Sequence, residues 1–280
     1  MTAATTDAIV ELIPDRVFRL GGIIPIDDRL TWAAPGSGIF DAVNSYLIVE
    51  DRDALLIDTG ISIHKESLGV QLDSLRPRFD QLRVFTTRFE PDCIINLDLL
   101  IKEFGITGVY GGSVHNPFDL FVNLAPEEVV RATYEIEVNR VRPGERLTVG
   151  TDRPVDMFET MLRVLPTFWL HDTSTRTLFT SDSFGHAHLD SATNPPIVFS
   201  PDELPSVEDI RAHLMQKFDW FASANPDELR GGLHELFDTY DFDIIAPTHG
   251  AITVGADTVR RHYELLDAAL ETITTEPGFR

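Results

Sequence analysis

The sequence predicts a layered α/β fold, and three observations carry that expectation. Two apolar, β-rich runs, Ser45 to Glu50 and Ala54 to Asp58, flank the polar turn Asp51-Arg52-Asp53, which is the pattern of a hairpin. A β-α-β-α-β rhythm follows from that hairpin through Gly111. Short strands and amphipathic helices then alternate as far as Thr272.

The elements follow in order. The second hairpin strand ends in Asp58-Thr59-Gly60, where glycine permits a sharp turn. Leu68, Leu72 and Leu75 fall at helical spacing, so His64 to Leu75 reads as a helix that Pro77 closes. Leu82 to Thr86 is a short strand entering a loop at Thr87 to Asp92. A helix from about Cys93 to Phe104 ends at Gly105, and Gly108 to Gly111 is the next strand. Pro126 to Tyr134 reads as a helix with Glu127 and Glu128 in its first turn, where the helix dipole favours acids. Further strands are expected at Arg146–Val149, Thr160–Val164, Thr167–His171 and Thr177–Thr180, the last two joined by the loop Asp172–Arg176. Helices are expected over Ser206–Ser223, Pro226–Tyr240 and Ala256–Thr272, with a strand Asp243–Ala246 and a loop Pro247–Gly250 between the last two. No solenoid repeat and no Gly/Ser linker interrupts this pattern, so one domain over residues 1–280 is expected, with its core at about 17–270.

Composition narrows the function. Hydrophobic residues make up 43% of the chain, enough for a sizeable core rather than disorder. No run approaches the roughly 20 apolar residues of a membrane span, and residues 1–10 lack a secretory signal. The single cysteine, Cys93, excludes an internal disulfide and fits a reducing cytoplasm. A net charge of −22 repels nucleic acid and anionic lipid, so neither is an expected partner.

Polar residues stand at the strand ends in five places. These are Asp58-Thr59-Gly60, Thr87 to Cys93, the stretch after Met161, Thr180 to Gly185, and Pro247-Thr248-His249-Gly250. In order and spacing they resemble the metallo-β-lactamase superfamily over roughly residues 17–270. The likeness is closest to the corresponding domain of flavodiiron and oxygen-binding diiron proteins. Glu90 stands where most of the superfamily has a second histidine. Leu178 to Gly185 is similar to that branch's bridging-aspartate motif, and Phe242 to Gly250 to its last-ligand motif.

The resemblance implies a four-layer αββα sandwich with a binuclear metal site at one edge of its sheets. Its key loop, His-x-Glu/His-x-Asp-His, reads Arg88-Phe89-Glu90-Pro91-Asp92-Cys93 here. Arg88 replaces the first histidine, and a guanidinium is no metal ligand. Met161 to Phe168 holds no histidine for the third ligand, and His171 comes too late. Asp182 matches the bridging aspartate and His249 the final histidine. The first position thus keeps Glu90 and a share of Asp182, with Arg88 expected to neutralise the acids. The second keeps Asp92, Asp182 and His249, with Cys93 as a candidate fourth ligand or a small buried apolar residue. One zinc or iron ion, or none, is the expectation, and no flavin, because the chain leaves no room for a flavin domain after its last helix.

Asp58 is expected to be structural. His115, His186, His188, His213 and His234 are expected to be ordinary surface or core histidines, and Phe218, Trp220 and Phe221 to be helix packing. Arg163 is placed to pair with Asp182 or to bind an anion. The leading functional expectation is a hydrolase-family protein with a partly dismantled site. It would support a homo- or hetero-oligomeric hydrolase, paired with a metal-competent paralogue that acts on a small molecule. One alternative is an active single-metal hydrolase of an ester, lactone or activated ether, with Arg88 and Asp182 in the chemistry. The other is a diiron oxygen-binding protein.

Overall fold

The computed structural model describes residues 8–27, 30–33, 36, 38–113, 115–119, 121, 135–163 and 165–275. The chain forms two compact units. The first comprises Met1–Gly22, Val43–Glu159 and Leu165–Thr175; the second comprises Ile23–Ala42, Thr160–Val164 and Arg176–Arg280.

A sheet lying mostly in the first unit runs in the order β1 (Val10–Ile13), β2 (Val17–Pro25), β3 (Phe40–Glu50), β4 (Asp53–Ile57), β5 (Gln81–Thr86), β6 (Gly108–Gly111) and β7 (Glu137–Arg140), with the end of β2 and the start of β3 in the second unit. The β3–β4 hairpin is antiparallel, pairing Tyr46 with Ile57 and Glu50 with Asp53, and β4 to β7 run parallel. Parallel strands need crossovers, and α1 (Lys65–Leu75) supplies the one between β4 and β5. Its buried Leu68, Gln71, Leu72 and Leu75 lie one helical turn apart and face Leu20, Leu47, Leu56 and Val84 in one core. Burying each such leucine or valine contributes about 1.5–3 kcal/mol.

Gln71 has a second task. Its side-chain amide accepts from Gly21 N (2.9 Å) and donates to Gly21 O (2.8 Å). Gly21 itself has φ +101°, and a Cβ there would lie 2.2 Å from Val43 O, so only glycine fits. An antiparallel meander joins β8 (Arg146–Val149), β9 (Arg153–Glu159) and β10 (Phe168–Asp172).

In the second unit β12 (Ile197–Val198), β14 (Ile252–Val254), β13 (Ile244–Ala246) and β11 (Thr177–Phe179) are neighbours in that order. The β12–β14 and β13–β11 pairs are parallel and β14–β13 is antiparallel. Three helices pack there: α4 (Val207–Lys217), α5 (Pro226–Thr239) and α6 (Ala256–Thr275). Ser206 and Asp209 form a capping box at the start of α4, and Asn225 caps α5 ahead of Pro226. Among the described residues no helix is long and apolar enough to cross a membrane.

Three expectations change. The strand expected at Thr160–Val164 is instead β9, seven residues earlier; Arg153, Val155 and Met157 alternate inward there, a period hidden by Pro154 and a buried arginine. The helix expected over residues 93–104 breaks into α2 (Pro91–Ile94), α3 (Leu97–Leu99) and a π-helical turn Leu100–Phe104, closed by Gly105 at φ +61°. The helix expected over Ser206–Ser223 ends at Phe218 (φ −133°, ψ 60°) and resumes as a 3₁₀ turn, Asp219–Ser223. The segment Pro126–Tyr134, expected to be a helix, lies outside the described residues.

Candidate functional site

In the first unit the candidate residues follow β5. The chain leaves that strand at Thr86, and Thr87 and Arg88 turn inward; Arg88 is 3% exposed. Glu90 is the extended N-cap of α2, and Pro91 occupies its first turn, where the missing N–H costs nothing. Asp92 sits in that same turn, favoured by the helix dipole.

Arg88 reaches both acids. Its Nε donates to Glu90 Oε2 and its Nη2 to Asp92 Oδ2. The Arg88 and Asp92 side chains are 2% and 10% exposed, that of Glu90 31%. One guanidinium fork therefore bridges two carboxylates, an arrangement in which each hydrogen bond is charge-assisted.

Asp58 backs this cluster. It takes φ +57° at the end of β4 and accepts from Thr87 N and Thr87 Oγ1, both at 2.8 Å. Burial pushes its carboxyl up to about 6, while the Arg88 charge and the Thr87 hydrogen bonds pull the other way. Cys93 is fully buried, with Sγ 3.6 Å from Thr87 Oγ1 and 3.7 Å from Asp92 Oδ1. Burial drives its thiol well above the ordinary range; Arg88 opposes this, and the Asp58 and Asp92 charges add to it. A helix N-terminus is expected to lower a thiol pKa. Here α2 has only four residues, and desolvation prevails.

In the second unit Asp182 follows β11 and is 2% exposed. Arg163 Nη1 lies 2.6 Å from Asp182 Oδ2, and Lys217 Nζ donates to the Asp182 carbonyl at 3.1 Å and lies 3.7 Å from Oδ2. Phe218 lies beneath both cations, its ring centre 5.0 Å from Arg163 Cζ and 5.4 Å from Lys217 Nζ. Phe218 and Phe221 are buried and packed together at 5.2 Å, so the aromatic cluster is packing that also seats two cations.

His249 is 1% exposed and stacks on Trp32 at 4.4 Å. Trp32 Nε1 donates to Asp41 Oδ2 at 2.8 Å, and His188 Nδ1 lies 3.3 Å from Asp41 Oδ1. Burial works against the Asp41 charge, yet His188, His249 and Trp32 together hold its carboxyl below the ordinary range. The turn carrying His249 depends on Gly250, at φ +85° with its Cβ position 2.7 Å from Gly185 O. His171 lies on β10 in the first unit beside Phe158, away from the loop where a third ligand is expected. Among the described residues no three His, Cys, Asp or Glu side chains are grouped so as to hold a metal ion.

Comparison with solved structures decides the fold. The chain resembles rubredoxin oxygen:oxidoreductase from Desulfovibrio gigas (21% identity, TM-score 0.67), over 94% of this chain and 62% of that one. It resembles a fragment of diflavin flavoprotein A 5 from Nostoc sp. PCC 7120 (15% identity, TM-score 0.69), over 97% and 98% of the two chains. It also resembles a metallo-β-lactamase from Pontibacter korlensis (11% identity, TM-score 0.55), over 92% and 98%. The chain has the metallo-β-lactamase fold. Within that fold its neighbours include flavodiiron proteins, as the motif order implies. The chain spans about 62% of the length of the oxidoreductase. No protein-family model matches it, and no curated protein sequence does.

Sequence reasoning missed two residues of the second-unit cluster. Lys217 is 35 positions from Asp182, and its place at the C-terminal end of α4 gives no sign of that partner. Asp41 lies inside a strand that reads as apolar only from Ser45 onward. His186, His188 and His213 are enclosed in the second unit, and His115 is exposed.

Proposed function

We propose that side-chain cations take the place of the metal centre in this metallo-β-lactamase-fold chain, and that it serves as a supporting subunit of a hetero-oligomeric hydrolase. One observation carries the reading: the buried Arg88 guanidinium bridges Glu90 and Asp92. A metal ion needs deprotonated donors whose lone pairs converge on it. Both acids already direct an oxygen at a fixed positive charge, which no pH in the working range removes. Asp182 is engaged in the same way by Arg163 and Lys217. These residues do not fit a binuclear centre.

The same observation weakens the alternatives. A single-metal hydrolase would use Asp92, Cys93, Asp182 and His249, yet Asp92 is held by Arg88 and Asp182 by Arg163 and Lys217. A diiron oxygen-binding protein would need two complete ligand sets, and its support is the likeness to proteins such as the Desulfovibrio oxidoreductase.

Two measurements test the proposal. The purified chain, loaded with Zn²⁺ or Fe²⁺ and desalted, is expected to retain less than about 0.1 metal per chain, because functional sites bind stoichiometrically. Isolated from its own cells, it is expected to bring with it a second metallo-β-lactamase-fold chain whose loop reads His-x-Glu/His-x-Asp-His. Stoichiometric metal together with esterase or lactonase turnover by this chain alone would overturn the proposal.

A further inference from the structure

Four histidines that the proposed function does not use gather in the second unit. His186 and His188 lie on the segment after β11, His213 on α4 and His262 on α6. His186 Nε2 lies 2.6 Å from His262 Nε2, and His262 Nδ1 lies 2.7 Å from Thr253 Oγ1 on β14. The His213 ring is 5.8 Å from that of His186 and 5.4 Å from that of His188. His262 is fully buried, and His186 and His213 are 4% and 5% exposed. Nδ1 of His186 and Nδ1 of His213 are buried with no hydrogen-bond partner.

The proton count of this chain is constrained. The gap between the two Nε2 atoms holds one proton, since one ring must donate and the other accept. A first added proton can be taken at the far nitrogen of either ring with the central bond intact. With both rings protonated, two N–H groups and two positive charges face each other across 2.6 Å. Little nearby relieves that charge. His213 and Lys217 face the pair from α4, and His188 from the same segment; the Phe184 and His262 rings stand nearly perpendicular, their centres 5.1 Å apart. Asp182 shares a small cavity with His186 and His213 but is engaged by Arg163 and Lys217. Asp41 and His249 lie near His213, and Asp41 is held by His188 and Trp32.

We propose that the His186–His262 contact is an acid-released latch, which holds α6 and β14 against the 183–188 segment at neutral pH and lets go when both rings carry a proton. Burial keeps both histidines below their ordinary range, His262 at about 3, so in the mildly acid range the closed latch holds neither added proton and both are taken up on opening. Opening frees the segment that follows Asp182 and so exposes one flank of the candidate site. This inference does not rest on the proposed function, and its test is run with a chelator present so that metal loading plays no part.

The test is hydrogen exchange on the full chain from pH 7.5 to 4.5, corrected for intrinsic exchange rates. Each proton taken up on opening raises the opening constant about tenfold per pH unit below the unfolded histidine value of ~6.5. Protection of residues 183–188 and 256–266 is therefore expected to fall by about a hundredfold or more per unit, while amides in β4 and β5 change far less. His262→Gln keeps a hydrogen-bonding side chain but loses one titrating group, and is expected to flatten the slope to about tenfold per unit. Should that variant not fold, ring-proton NMR of the wild type decides the question. His186 and His262 signals that stay unshifted down to pH 5.5 support the latch. Signals that titrate near 6.5 with protection intact, or a wild-type slope below one proton, overturn it.

Discussion

Replacing Arg88 by methionine removes the cation that Glu90 and Asp92 share and leaves an apolar stem of similar reach. The two acids respond differently. Glu90, with a third of its side chain exposed, can turn to water, whereas Asp92 is 10% exposed and cannot. One uncompensated buried carboxylate then remains, and breaking a buried pair from one side costs about 3–5 kcal/mol. Protonation offers Asp92 an escape, so the loss at pH 7.5 should shrink below about 2 kcal/mol near pH 4, a tenfold change in proton affinity being worth ~1.4 kcal/mol. Arg88→Met combined with Asp92→Leu should recover most of the loss, because an apolar replacement of a whole buried pair is often neutral. Urea unfolding followed by circular dichroism at the two pH values measures all of this. A loss under about 1 kcal/mol for the single variant at pH 7.5, or a double variant no better than the single, would refute the charge-replacement argument.

Other expectations follow from the packing around buried charges, glycines and rings. Arg153, 1% exposed, binds the fully buried Asp172 and donates to Val49 O at 3.0 Å, so Arg153→Met should cost about 3–5 kcal/mol; an unchanged melting temperature would contradict this. Gly112→Ala would place a Cβ 1.7 Å from the Phe168 ring, and overpacking of that kind costs about 1–3 kcal/mol or more by denaturant titration. His262 has a folded value of about 3 against ~6.5 unfolded. Its contribution is whole above pH 6.5 and declines by up to ~1.4 kcal/mol per pH unit as pH falls towards 3, a slope that calorimetry should find reduced in His262→Gln.

Part of the architecture is legible in the sequence alone. The hairpin β3–β4, strand β5 and helix α1 are plain there, because unbroken apolar runs and leucines one turn apart leave few alternatives. β9 is hidden because its buried positions include Arg153, whose charge is met by Asp172 far along the chain. β12 and β14, of two and three residues, are too short to show a period. The break at Asn96 is invisible because its cause is tertiary. Within the site, neighbours on one loop such as Arg88, Glu90 and Asp92 can be read together. Lys217 and Asp41 cannot, since only folding brings them to Asp182 and His188.

That interruption at Asn96 ties two loops together. The Asn96 side-chain amide donates to the carbonyls of Thr59, Gly60 and Ile61, at 2.8, 3.3 and 3.1 Å, and its backbone N–H reaches Thr59 Oγ1. The turn after β4 is thereby stitched to the segment after β5 by neutral hydrogen bonds, alongside those that Thr87 donates to the Asp58 carboxylate. Where an ion does the stitching, losing a ligand unravels the loops around it. The bonds that Asn96 makes here call on no side chain at positions 88 or 93, so this stitch does not depend on what those two residues hold.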